Sequence, residues 1–269
     1  MTTSTKVAIA GAGGRMGRTL VELIQEQPGF VLCGGFEHPD SPVIGSDLGV
    51  IAGVSELGIP IGPNIESLDT DYDVLIDFTL PESTLENVAF CRQARKRMVI
   101  GTTGVVEGSA AIDAAGSDIA IVFAPNMSVG VNLCFKLTEL AAAALGDDFD
   151  IEIIEAHHRN KVDAPSGTAV RLGEIVAKTV DRDLAESAVY GREGHTGVRE
   201  RKTIGFATIR GGDIVGDHTV LFAGAGERIE ITHRASSRMT FASGALRAAA
   251  WVANREAGIY DMQDVLNLR

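Results

Sequence analysis

The sequence predicts an α/β chain in two parts, a buried parallel sheet followed by a mixed α/β segment with an open sheet. Three observations carry this reading. Short apolar runs recur up to about Ser128, each followed by a glycine-rich or polar loop, as buried parallel strands are. A glycine-rich turn joins the first of these runs to a helical pattern. Beyond Ser128 the rhythm changes to long helical spacing and then to runs of β character.

Taken in order, Lys6–Ala10 (KVAIA) is a strand that stops at Gly11-Ala12-Gly13-Gly14-Arg15-Met16-Gly17. Arg18–Glu26 follows with Leu20, Leu23 and Ile24 at helical spacing. Phe30–Phe36 (FVLCGGF) is the next strand and ends at Glu37. Val74–Phe78, Met98–Ile100 and Ile119–Phe123 repeat the pattern, ending respectively at Thr79-Leu80-Pro81, at Gly101-Thr102-Thr103-Gly104 and at Ala124-Pro125-Asn126-Met127. Val131–Leu145 has the spacing of a long helix, and Asp150–Ala156 (DIEIIEA) alternates enough for a half-buried strand. A helix is expected to start at Pro165 or Ser166 and run to about Val180. Thr203–Arg210, Val215–Ala223 and Arg228–Arg234, joined by Gly-Gly-Asp and Gly-Ala-Gly, read as an antiparallel meander. Thr240–Arg255 is helical, and residues 256–269 form a tail of helical character.

The 269 residues, 45% of them apolar, suffice for one large or two ordinary domains. A net charge of −12 argues against a nucleic-acid surface, which needs clustered Lys and Arg. Cys33, Cys91 and Cys134 are scattered and odd in number, the usage of reduced core thiols. The N-terminus shows no leader pattern, and no apolar stretch approaches the ~20 residues that span a bilayer. The chain therefore reads as soluble and cytoplasmic.

Gly11, Gly14 and Gly17 give G-x-x-G-x-x-G, with Gly13 in addition, because position 16 is Met. The context makes this turn informative. It follows a strand, opens a helix, and precedes an acidic residue, Glu37, at the end of the next strand. That is the Rossmann-like arrangement: backbone close to a pyrophosphate, helix N-terminus beneath it, carboxylate on the ribose hydroxyls. A dinucleotide is expected there, with Arg15 either on the pyrophosphate or solvated. Beside Glu37 stands His38, a poor clamp for a 2′-phosphate when neutral, so NADH is expected to be preferred, with NADPH usable if Arg15 or another base compensates. In an open parallel sheet the ligand lies beyond the carboxyl ends of the strands, which places Gly101, Thr102, Thr103, Ala124, Pro125, Asn126 and Met127 on the nicotinamide side.

The densest chemistry lies at 155–168, Glu-Ala-His-His-Arg-Asn-Lys-Val-Asp-Ala-Pro-Ser-Gly-Thr. His157 and His158 emerge at a strand end and point to opposite sides, so one can act on a substrate while the other grips it. His157 and Lys161 can supply protons as hydride arrives. Gly167 and Thr168 present backbone N–H groups at a helix start, a cradle for a carboxylate or phosphate. Adjacent His residues on a strand diverge, and neither His-Glu-x-x-His nor a Cys pair completes a tetrahedral site, so no metal is expected. His195, His218 and His233 are dispersed and read as surface or satisfied groups.

Together these segments resemble the 4-hydroxy-tetrahydrodipicolinate reductases (dihydrodipicolinate reductases) of bacterial lysine and diaminopimelate synthesis. The likeness rests on VAIAGAGGRMGR at 7–18, DFT at 77–79, VIGTTG at 99–104, EAHHRNKVDAPSGTA at 155–169, YGREGHTGVR at 190–199, IGFATIRGGDIVGDH at 204–218 and HRASSRMTFASGA at 233–245. It implies NAD(P)H-dependent reduction of a small cyclic imine dicarboxylate, with hydride to ring C4 and loss of water. By the same resemblance His157 is the proton donor/acceptor, Lys161 a proton donor, and His158 a substrate ligand, while Gly167 and Thr168 hold a substrate carboxylate. The glycine turn, Glu37, Gly101–Thr103 and Ala124–Met127 match cofactor contacts. His38 departs from members that carry Arg there. A dinucleotide domain of residues 1–128 with 240–269 is implied, beside a substrate-binding and tetramerisation domain of residues 129–239. Another two-domain dehydrogenase of a small carboxylate, or a non-catalytic NADH sensor, would share the glycine turn but would not need the His-His-x-x-Lys and Ser-Gly-Thr combination.

Overall fold

The structure is a computed structural model and describes residues 4–69, 71–105 and 109–269. Met1–Thr3, where the leader reading begins, lie outside the described residues. The described chain divides into two compact units, residues 1–129 with 238–269 and residues 130–237.

The first unit alternates strand and helix. In chain order it comprises β1 (Thr5–Ala10), α1 (Arg15–Glu26), β2 (Phe30–Phe36), α2 (Leu48–Ala52), β3 (Val74–Asp77), α3 (Pro81–Ala94), β4 (Arg97–Ile100), α4 (Ser109–Ala115) and β5 (Ala120–Phe123). The six-stranded sheet has the order β2-β1-β3-β4-β5, closed at the far edge by a strand from the C-terminal end of the chain, and every pairing is parallel. The strands are apolar on both faces because both faces are covered. Val7, Ile9, Val74, Ile76, Val99 and Val122 pack on one side, with Leu20 and Ile24 of α1. Ala8, Leu75, Met98, Ile100 and Ile121 pack on the other, with Val88 and Cys91 of α3. Burial pushes the Cys91 thiol up to about 12, so it is a packed core thiol.

The second unit follows as α5 (Val129–Leu145), β6 (Asp150–His157), α6 (Gly167–Thr179), α7 (Leu184–Ser187), β7 (Ala188–Val189), β8 (Ile204–Arg210), β9 (Gly216–Ala223) and β10 (Arg228–Ala235). The chain then returns as α8 (Met239–Val252), β11 (Gly258–Tyr260) and α9 (Met262–Leu266). The second sheet has the order β10-β9-β6-β8-β7, with β6–β8 and β7–β8 parallel and β6–β9 and β9–β10 antiparallel. The expected meander is corrected here: β8 and β9 do not pair, because β6 lies between them. The Gly211–Val215 connection carries the chain over β6, whose Ile151 and Ile153 are the fully buried centre of the sheet. Val131 and Phe135 of α5, and Leu172 and Val176 of α6, cover that same face.

Two further expectations need correction. The tail is not helical throughout, since β11 pairs parallel with β5. The helix Val129–Asp148 does reach 20 residues with mean hydropathy 1.3, long and apolar enough by those measures to cross a membrane. Val131, Phe135 and Ala142 are nevertheless buried in the second core, as in a core helix.

Candidate active site

The glycine turn is built by its backbone. Gly11 sits at φ +68, a left-handed conformation that glycine adopts freely, and Gly14 caps α1 without a side chain. Arg15, Met16 and Gly17 already belong to the helix, so the turn is shorter than the sequence suggested. Gly17 is required for close packing: a Cβ there would stand 2.3 Å from the Gly11 carbonyl oxygen and 2.6 Å from Ala12 Cα. Glu37, at the end of β2, accepts from the Gly13 N–H at 2.8 Å. Arg18 donates to the Gly13 carbonyl at 2.7 Å, a contact the sequence did not reveal, whereas Arg15 is exposed.

Strand order reverses between β1 and β3, and a cavity of about 560 Å³ opens at their carboxyl ends. Gly11, Gly14, Glu37, His38, Asn64 and Thr79 are among its lining residues. Asp77, fully buried at the end of β3, organises the floor: it accepts from the Thr79 N–H at 2.8 Å, from the Thr79 hydroxyl at 2.6 Å and from Asn87 at 2.9 Å. Thr102 is turned inward to the same network, accepting from Thr84 at 2.8 Å and donating to Asp77 at 3.3 Å. Only its backbone is therefore left for a ligand. Thr103 is exposed beside it, and Gly101 is held against the Phe78 ring, which a Cβ would strike at 2.2 Å. In the loop after β5, Ala124 and Met127 are core residues, while Pro125 is exposed and Asn126 half-buried.

The second constellation is a product of strand register. Ile151, Ile153, Glu155 and His157 lie on one face of β6, so the apolar ladder runs directly into a carboxylate and an imidazole. Register sets Glu155 opposite His218 of β9 and His157 opposite Arg210 of β8. Glu155 is 1% exposed. Its carboxylate accepts from His157 Nδ1 at 2.6 Å, from both terminal nitrogens of Arg210 at 2.8 Å, and from the Ser166 N–H at 3.1 Å. Burial alone would raise this carboxyl, but these donors overcome it and hold it at about 2. His157 is pushed below its usual range, first by burial, then by Lys161 and Arg210, against the opposing pull of Glu155. His218, buried and edge-on to His157 at 5.1 Å, is pushed down to about 3 by burial and then by His157, against the opposing pull of Glu155.

His158 lies just beyond the strand, half-buried. Lys161 bonds Asp163 at 2.8 Å, and the Asp163 carbonyl accepts from Arg210 at 2.6 Å. α6 begins at Gly167, capped by Ser166, whose hydroxyl accepts from the Ala169 N–H at 3.2 Å and meets His218 Nε2 at 2.8 Å. The first backbone N–H groups of that helix, those of Gly167 and Thr168, stand at the positive end of its dipole, and the space beside Gly167 is open. His157, Lys161 and the start of α6 thus belong to one constellation within residues 130–237, as the spacing at 155–168 suggested.

Comparison with known proteins is decisive for the family. Residues 5–127 match the family model described as dihydrodipicolinate reductase, N-terminus, and residues 130–266 match its C-terminus. The chain belongs to the dihydrodipicolinate reductase family. It is 61% identical over 266 residues to a protein of Pseudomonas fluorescens named 4-hydroxy-tetrahydrodipicolinate reductase, covering 98% of this chain and 99% of the relative. A relative of the same name from Alkalilimnicola ehrlichii is 62% identical, over 98% of this chain and all of the relative. Among solved structures, dipicolinate-bound dihydrodipicolinate reductase from Paenisporosarcina sp. TG-14 superposes with a TM-score of 0.75 at 27% identity, over 97% of this chain and 99% of that one. GenD2 from gentamicin A biosynthesis, in complex with NAD, shares the fold alone, with a TM-score of 0.60 at 13% identity.

Proposed function

We propose that this protein reduces 4-hydroxy-tetrahydrodipicolinate to tetrahydrodipicolinate with a nicotinamide dinucleotide, the reductive step of lysine and diaminopimelate biosynthesis that gives the family its name. The observation that carries the reading is the constellation on β6 and α6: an imidazole and an ammonium beside a helix N-terminus suited to a carboxylate. In the net reaction the 4-hydroxyl leaves with one proton as water, and a hydride takes its place at ring C4. The dihydronicotinamide supplies that hydride. His157, with its Nδ1 engaged by Glu155, has Nε2 to take or give a proton, and Lys161 is a second donor once it exchanges Asp163 for substrate. Gly167 and Thr168 receive one substrate carboxylate on their backbone N–H groups, and His158 assists.

Gly11–Gly17, Glu37, His38, Gly101–Thr103 and Ala124–Met127 are assigned to the dinucleotide, largely through backbone because Ala124, Met127 and Thr102 spend their side chains on the interior. Residues 1–128 with 240–269 are assigned to cofactor binding, and 129–239 to substrate binding and assembly of a homotetramer. Supporting assembly, β10 is an edge strand that leaves Ile229 exposed. NADH is the preferred cofactor: the exposed His38 lies between two acids, with Asp40 3.7 Å from its Nδ1 and Glu37 adjacent, a poor setting for a 2′-phosphate.

The test mixes the protein with the freshly formed condensation product of pyruvate and aspartate semialdehyde, and follows nicotinamide absorbance with NADH and NADPH in parallel. Oxidation of either cofactor is expected, faster per unit kcat/KM with NADH. Cofactor binding without oxidation overturns the reaction, and equal or better kcat/KM with NADPH overturns the preference.

A further inference from the structure

Four polar side chains around His157 are left unused by the reaction as described: Glu155, Arg210, Ser166 and His218. Glu155 is the most enclosed, a carboxylate buried in the second sheet that makes four hydrogen bonds, every one with a protein donor. Such a group has no access to substrate and would be costly to bury unless its charge were matched. Arg210 matches it, its planar fork spanning both carboxylate oxygens. The same guanidinium reaches away from Glu155 to the Asp163 carbonyl, and the Gly211 N–H bonds the His157 carbonyl at 2.9 Å. The end of β8 therefore grips both the strand that ends in His157 and the loop that carries Lys161.

We infer that Glu155 and Arg210 are positioning residues for this reaction: Glu155 fixes the His157 ring with the proton on Nδ1 and Nε2 turned free, while Arg210 holds that carboxylate and ties the Lys161 loop to it. The inference rests on the proposed reductase chemistry for its purpose, and on geometry alone for the tautomer. An ionised carboxylate 2.6 Å from Nδ1 can only accept, so Nδ1 must donate. Nε2 has no protein partner among the described residues, and a Cβ built on Gly216 would come 3.0 Å from it. An unconstrained imidazole could carry its proton on either nitrogen and turn about its bond to the chain. This one is locked in tautomer and in orientation, the state in which Nε2 can exchange a proton with substrate. Glycine at 216 spares the ring the crowding that any side chain there would bring.

The charged and titratable groups that face His157 are Glu155 on its own strand, Lys161 on the following loop, Arg210 from β8 and His218 from β9. Of these only Glu155 favours the charged ring, so removing its charge moves His157 titration to lower pH.

The decisive experiment is histidine nitrogen NMR of the wild-type protein above the His157 titration, with the resonance assigned by its loss in His157→Gln. The Nδ1–H tautomer is expected, and the Nε2–H tautomer overturns the inference. This reading needs no turnover, so an inactive protein would sink the proposed reaction and leave the tautomer result standing. Kinetics complete the test. Glu155→Gln is expected to lower kcat by about 100-fold, the low end of what a well-placed acid–base group contributes, with substrate KM within about threefold and the His157 limb of the pH profile displaced downward. Arg210→Lys, which keeps the charge and loses the fork, is expected to fall between the two. Wild-type kcat with an undisplaced limb in both variants would leave the pair a structural one only. Should Glu155→Gln fail to fold, the wild-type tautomer and Arg210→Lys decide the matter.

Discussion

At the scale of single residues, the constellation separates groups that react from groups that hold. Lys161→Ala is expected to lower kcat/KM by at least ~100-fold, and near-normal turnover would remove Lys161 from the reaction. His157→Gln should act mainly on kcat and His158→Gln mainly on KM, with steady-state kinetics distinguishing them; the reverse pattern would exchange their roles. His157, Lys161 and the Ser-Gly-Thr start of α6 were legible because the chemistry is crowded into one stretch of sequence. Glu155 belongs to the same stretch, and its place two residues before His157 puts it on the same face of a strand, a spacing that is the one sequence signal of its role. Arg210 and His218 lay 55 and 63 positions beyond Glu155, and no periodicity connects them. His218 read as a dispersed, satisfied group. It proves to be buried, bonded to Ser166 and edge-on to His157. Only β-sheet register brings those positions together.

At the scale of elements, the turn from β1 into α1 depends on the absence of one atom. Gly17→Ala introduces a methyl carbon against the backbone of Gly11 and Ala12, which cannot yield as a flexible side chain does. About 1–3 kcal/mol of destabilisation is expected, typical of overpacking, together with at least tenfold weaker dinucleotide binding. Thermal melting and fluorescence titration with NADH check this, and unchanged affinity would show that the turn tolerates displacement. The parallel strands of the first unit were readable because each is a continuous apolar run bounded by a loop with turn chemistry. Strand β11 was missed because three residues, Gly-Ile-Tyr, are too few for any alternation to show. α3 gave no clear signal either, since Thr84 and Asn87 occupy its buried face beside Val88 and Cys91. The order of the second sheet, with β6 between β8 and β9, is hidden for another reason. Turn residues announce that the chain reverses, and they say nothing about which strand lies in the gap.

At the scale of the whole molecule, buried ionisable groups set how the fold responds to acid. Glu155 is held at about 2 against an ordinary 4.5, so its contribution is complete above 4.5 and is lost as pH falls towards 2. His218, held at about 3 against 6.5, stays neutral in the fold while the unfolded chain takes up a proton, so stability begins to fall below about pH 6.5. His157 works in the same direction. Melting temperature is therefore expected to drop between pH 7 and pH 4, less steeply in His218→Asn than in the wild type. Equal slopes would remove His218 as a cause. The chain's route adds a different kind of constraint. Residues 130–237 are continuous, whereas the core of the other unit takes Ala242, Ala245, Leu246 and Ala249 from α8 and an edge strand from β11. On the ribosome, the segment made first must therefore wait, with α1 covering only part of the sheet face that α8 completes, until the last thirty or so residues emerge, while the segment made later can finish folding before it.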